Sequence, residues 1–315
     1  MQIGSKSSSA LPMPWTTMLT LLVLAALAPP AMGQSAALTD TTIRTAVKAW
    51  GTNATTAAQT YGPIDVWNTA AVGNMAKLFA FKSTFNADIS RWNVACVSTM
   101  ASMFDSADAF NADVSRWNTA SVTNMGSMFS LVDAFDANLA GWNVAHVRNM
   151  SLMFNLARAF KSNLSGWNVA RVSDMTEMFS RADSVNSDLS GWNVASVSDM
   201  GGMFDRAYSF NTDLSGWNVA SVGSMNIMFR SAKAFDRNIA GWNVLSVTSF
   251  SGALLHLRPL RSHAAGSARP VVSLPAPRRR RKSLAAPNST FASAMYASPT
   301  ERLFGWQASS RSLSA

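Results

Sequence analysis

Residues 192–216, WNVASVSDMGGMFDRAYSFNTDLSG, are one copy of a pattern that returns every 25 residues. Trp67, Trp92, Trp117, Trp142, Trp167, Trp192, Trp217 and Trp242 mark eight copies without an insertion, and Asn follows each Trp. The shared unit is W-N-V-A-x-V-x-x-M-x-x-M-F-x-x-A-x-x-F-N-x-D-L-S-G, and 13 of the 18 Met fall on its two Met positions. A fixed period of this length predicts stacked repeats, each in contact with its neighbours only. One unit cannot offset the entropy of ordering its own chain with its few apolar side chains, so the units must stack to fold.

Inside a unit the hydrophobic period changes. Around Trp192 the apolar residues run Leu189, Trp192, Val194 and Val197, which fits the frame of a leucine-rich repeat and predicts a short strand. Met175, Met178, Phe179 and Ala182 lie at i, i+3, i+4 and i+7 behind Ser173 and Asp174, which predicts one or two helical turns. Phe85, Phe110, Phe135, Phe160, Phe210 and Phe235, with Val185 in one unit, return the chain inward ahead of turn-forming Asn or Asp. Gly precedes Trp in five units but Arg91 and Arg116 hold that place in two, so a positive φ is not expected there. The fold class expected is an α/β solenoid, a leucine-rich-repeat-like stack of eight units with a short strand and short helix each.

Working outward, residues 1–33 read as a signal peptide. Met18 to Ala28 is an apolar run too short to span a bilayer but long enough for a secretory core, and Ala31, Met32 and Gly33 supply small residues for cleavage. No second run suggests a membrane anchor. Residues 34–60 form an N-terminal capping segment, where Ile43, Ala46, Val47 and Trp50 line one face of a helix starting behind Asp40 and stopping at Gly51. The solenoid covers 61–255. Residues 256–315, rich in Pro, Ala, Ser and Arg, read as a disordered basic tail or an incorrectly translated end. With no cap after Leu255, self-association at the C-terminal edge is expected.

The 315 residues carry a formal charge of +9, but its distribution matters more than its size. Residues 61–250 hold 13 basic and 15 acidic side chains, and residues 251–315 hold 10 and 1. A near-neutral middle argues against a nucleic-acid interface, which needs cations clustered on a folded element. Cys96 is the lone cysteine, and His146, His256 and His263 lack partners at ligand spacing, so no disulfide, metal or cofactor is implied. Nor is there a Gly-rich phosphate loop, a nucleophile elbow or a Cys/His/Asp set. Catalysis needs unlike groups converging on one pocket, whereas a strict repeat spreads like groups along a surface. No enzyme is expected. Asn53, Asn149, Asn163 and Asn288 stand in glycosylation-type tripeptides.

The unit F-N-x-D-L-S-x-W-N-V-x-x-V-x-x-M-x-x-M-F-x-x-A, from Ile64 to about Leu255, resembles the repeat of the BspA-like leucine-rich-repeat surface proteins, a mycoplasma-type repeat of unknown function. TIRTAVKAWGTNATTAAQTYGPI, at 42–64, resembles the segment that often precedes such arrays. The resemblance implies a secreted or cell-surface location and, from some bacterial members, adhesion to matrix proteins or cells.

If Trp and the following Val point inward, the Asn between them points outward. Asn68, Asn93, Asn118, Asn143, Asn168, Asn193, Asn218 and Asn243 then form either a polar ridge for a protein or glycan or a ladder of self-paired amides. The third residue after each Asn varies most: Ala71, Cys96, Ser121, His146, Arg171, Ser196, Ser221, Ser246. Variation beside a fixed frame is where a repeat protein encodes partner choice. The candidate binding patch is therefore Cys96, Asn118, Ser121, Asn143, His146, Asn168 and Arg171. Asp88, Asp113, Asp188 and Asp213 alternate with Asn138, Asn163 and Asn238 across units, which suits turn hydrogen bonding better than calcium or paired acids. The Met positions suit core packing better than copper. The expected function is a non-catalytic extracellular or cell-surface binding or adhesion module whose partner is an extracellular protein or glycan. The alternative is a self-associating structural component of a surface or matrix.

Overall fold

The computed structural model describes residues 37–253. The leader expected over 1–33, the tail over 256–315 and the edge after Leu255 lie outside them. Helix α1 (Thr42–Thr52) and helix α2 (Ala54–Tyr61) are followed by one turn of 3-10 helix (Ile64–Val66), and the repeats begin at Trp67. Among the described residues no helix lies within the repeats. Their only β pairing is an isolated parallel bridge per neighbouring pair, from Asn74↔Thr99 to Ser224↔Ser249. The α/β solenoid of strand-plus-helix units is therefore incorrect. Each unit is instead a coil made of consecutive turns, and eight coils stack in a register of 25.

Numbering each coil from its Trp as position 1 makes the construction plain. Asn at position 2 accepts the amide of position 4 through its side chain, as Asn143 does from Ala145, and the residue at position 6 closes a turn onto position 3, as Val147 N–H does onto Val144. The Leu-Ser-Gly-Trp segment predicted as strand closes a turn as well, since Trp142 N–H donates to Leu139. Thr69 and Thr119 replace Val at position 3, and they stay buried by donating their hydroxyls to the Asn carbonyl of the next coil.

The segment predicted as helix is the clearest departure. In coil 3 the amides of Met125, Ser127, Phe129 and Leu131 donate to Asn149, Ser151, Met153 and Asn155 of coil 4. The intervening amides close local turns: Gly126 donates to the Asn124 side chain, Met128 to Met125 and Ser130 to Ser127. Every amide in the run is therefore satisfied, alternately by the next coil and by its own. An α-helix would place all of these bonds within one coil. The alternation requires left-handed residues at positions 11 and 15, where φ is 48–65° from Lys77 to Gly252 and 56–61° from Phe81 to Ser231. That is the sign pattern of type II turns. Only Gly202 and Gly252 in these two positions are glycine. The rest are L residues in a region that costs each about 1–2 kcal/mol, and the hydrogen bonds to the next coil hold them there.

The apolar side chains form columns through the stack. Neighbouring indoles lie at 5.9–6.5 Å between ring centroids and within 17° of parallel in the pairs Trp67–Trp92, Trp117–Trp142, Trp167–Trp192, Trp192–Trp217 and Trp217–Trp242. Each Trp from 92 to 242 donates its indole N–H to the carbonyl 28 residues before it, more than one full coil back, as Trp142 does to Val114 and Trp167 to Leu139. Beside it, Phe79, Phe104, Phe129, Phe154, Phe179, Phe204 and Phe229 stack at 5.5–5.8 Å. These are offset aromatic contacts inside the favourable range. The two Met positions are fully buried among them.

The N-terminal end closes differently from the prediction. Helix α1 buries Ile43, Ala46 and Val47, but Thr41 is its N-cap without a side-chain bond and the helix runs through Gly51 to Thr52. Asp40 does not cap it. Its Oδ1 accepts the amides of Gly73 and Asn74 in coil 1, and Arg44 donates to the carbonyls of Ala76 and Asn74. In later coils the corresponding groups bond to the preceding coil. A carboxylate and a guanidinium thus stand in for a missing neighbour.

The left-handed requirement gives a paired prediction. Gly202→Ala puts a Cβ at φ +62° and 2.8 Å from Glu177 Cγ, whereas a Cβ on Gly191 meets nothing within 4 Å. Gly202→Ala should lower stability by about 1–2 kcal/mol and Gly191→Ala should be neutral or stabilising by up to ~1 kcal/mol, measured by urea unfolding.

Candidate functional site

Three outward positions share one face of the stack. Position 2 is always Asn. Position 5 varies, and position 7 is Gly73, Ser98, Thr123, Arg148, Ser173, Ser198, Gly223 and Thr248 in turn. Position 6 between them is a buried Val in every coil. Cys96, Asn118, Ser121, Asn143, His146, Asn168 and Arg171 are all exposed, and they lie on this face in coils 2 to 5. Position 7 was missed in the sequence. The alternation around Val147 and Val172 is the signal that could have found it.

The Asn side chains do not pair with one another as a ladder, because each bonds within its own coil. Each Oδ1 accepts the backbone amide two residues on, at 3.1–3.3 Å, as in Asn118 to Ala120 and Asn168 to Ala170. This is local turn chemistry, the reason Asn is required beside Trp. Each Nδ2 donor is left over from that bond.

The hydroxyls of the face are turned back onto the stack. Ser121 and Ser196 donate to Ala95 and Ala170 of the preceding coil at 2.7 and 2.8 Å. His146 Nδ1 lies 3.0 Å from the Ala120 carbonyl, which can only accept, so Nδ1 carries the proton and Nε2 faces outward. At position 7, Ser98, Thr123, Ser173 and Ser198 add side-chain bonds to the preceding carbonyl already used by their own amides. Arg148 and Arg171 are exposed without such a bond.

A second row of polar side chains lies at position 14, partly covered by the stack. Asp205 is buried and takes a two-pronged contact from Arg230 at 2.8 and 2.6 Å, while Ser130, Asn155 and Ser180 occupy the coils before it. Burial pushes the Asp105 carboxyl above the usual range, opposed by hydrogen bonds from Ser106 and Ser130 and by Lys77. Exposed Asp88, Asp113, Asp188 and Asp213 move the other way, because the Ser two residues on donates to each. They close turns, as Asn138 and Asn163 do elsewhere. No group of three or more His, Cys, Asp or Glu among the described residues is placed to hold a metal ion. None of their helices is long and apolar enough to cross a membrane.

The sequence matches the family described as Mycoplasma protein of unknown function, DUF285, over residues 45–167 and 153–263, which together span more than half of the chain. The chain belongs to this family. The DUF285 matches run through the coils that carry the exposed face and reach back into helix α1. No curated protein matches the chain.

Asp105 yields a test with a definite sign. A carboxyl with a raised folded pKa favours the folded state when protonated and loses that contribution as pH rises through the folded value. Asp105→Asn, which places in coil 2 the residue that coil 4 has as Asn155, should raise the melting temperature at pH 7. The gain should vanish below the unfolded carboxylate value of about 3.9.

Proposed function

We propose that this protein is a non-catalytic binding or adhesion module working outside the cell or at its surface. The observation that carries the reading is the face at positions 2, 5 and 7. Its backbone is fixed by the stack, its framework residues are spent on turns, and its varied side chains from Cys96 to Arg171 stand exposed in adjacent coils. A rigid scaffold with varied exposed groups is the arrangement that recognition requires. The leader-like segment at 18–33 and the resemblance of the repeat sequence to BspA-like surface proteins support the extracellular setting.

The test is binding of the full chain to a panel of extracellular matrix proteins and glycans. Saturable binding weakened about tenfold by His146→Ser with Arg171→Ser is expected, and both changes install the residue that other coils carry at position 5. Concentration-dependent self-association with no saturable partner in the panel would overturn the reading in favour of a structural matrix component.

A further inference from the structure

Resting on that binding role, we propose that the face at positions 2, 5 and 7 recognises an anionic polysaccharide, with Arg148 and Arg171 meeting its sulfate or carboxylate groups. The two arginines are neighbours on the stack. Arg148 is at position 7 of coil 4, and its carbonyl accepts the amide of Ser173, two residues after Arg171 in coil 5. His146, at position 5 of coil 4, is exposed on the same face. No acidic residue occurs at positions 2, 5 or 7 in any of the eight coils. The acids at the adjoining position 8, Asp174 and Asp199, are half-buried and use Oδ1 to accept the amides of Thr176 and Gly201 in their own loops.

The polar groups around the arginines select the kind of anion. Ser98, Ser121, Thr123, Ser173, Ser196 and Ser198 have each donated their hydroxyl proton to a backbone carbonyl, so they offer only lone pairs to a ligand. Lone pairs call for hydroxyl donors, and a sugar carries these on every residue. The Asn amides retain Nδ2 donors for sugar oxygens. A DNA backbone presents acceptors to those acceptors, and two arginines on adjacent coils are too few to follow a run of phosphates. Positions 2, 5 and 7 hold no Trp, Tyr or Phe on which a neutral sugar could stack, so charge must carry the affinity.

The experiment uses the full chain with dextran sulfate, uncharged dextran and double-stranded DNA at one salt concentration. Because Arg278 to Lys282 can attract any polyanion, every measurement is repeated with those five residues changed to Ser. Saturable binding of dextran sulfate is expected in both backgrounds, about tenfold weaker with Arg148→Ser and Arg171→Ser. It should be largely retained with Arg148→Lys and Arg171→Lys, and absent for uncharged dextran. Ser occurs at both positions in other coils, so the melting temperature should not change. The proposal is overturned if the Arg-to-Ser variant binds dextran sulfate undiminished, if only the 278–282 change matters, or if DNA binds as tightly as dextran sulfate once that segment is neutral. Any of these leaves the binding role open to a different ligand, whereas a panel without a saturable partner removes that role itself.

Discussion

The structure depends on how a 25-residue coil with almost no regular secondary structure satisfies its backbone. Buried amides and carbonyls must be paired, and neither helix nor sheet does this within the repeats. Between positions 9 and 15 alternate amides reach into the next coil while those between them close turns, so the stack and the coil share one set of bonds. A coil removed from its neighbours loses half of its partners in that run. The left-handed residues at positions 11 and 15 are the cost of that alternation, repeated in each coil with the same geometry.

Side chains reinforce the same register. The indole N–H of each Trp from 92 to 242 is anchored to the carbonyl 28 residues before it, and the Phe and Met columns fill the space between successive turns. Among the described residues no coil precedes coil 1, and Asp40 and Arg44 supply an acceptor and donors of the kind a coil supplies elsewhere. Helix α1 covers the apolar ends of the first columns with Ile43, Ala46 and Val47. Aromatic packing, backbone pairing and end closure therefore all enforce one repeat distance.

Much of this was legible in the sequence. The period gave the stack, and the Trp, Phe and Met positions gave the core. The helix upstream was visible from Ile43, Ala46, Val47 and Trp50. What misled was the Met-x-x-Met-Phe spacing, because successive turns bring i, i+3 and i+4 to one side much as a helix does. Lys77, Ser127, Leu131, Glu177 and Ile227 carry no preference for a positive φ, and the glycines at 202 and 252 were the sole residues hinting at it. The Asn after Trp misled for a related reason. Its exposure was predicted, but its bond to the amide two residues on is local and leaves no trace in the period. On the exposed face position 5 stood out by its variation, whereas position 7, with Arg148, was hidden among Ser and Thr.

The functional reading follows from the division of labour within a coil. Framework side chains fold back onto the stack, whereas Arg148 and Arg171, which differ from their counterparts in other coils, stand exposed. All of this presupposes the turn-built coil, and the sign of φ at Ser127 and Leu131 is its most direct signature. The intraresidue amide-to-α-proton Overhauser effect is strong when φ is positive and weak in helix. The account predicts strong effects at Ser127 and Leu131 and weak ones at Met125, Met128 and Phe129. Uniformly weak effects through 125–131, with the strong sequential amide–amide contacts of a helix, would contradict it.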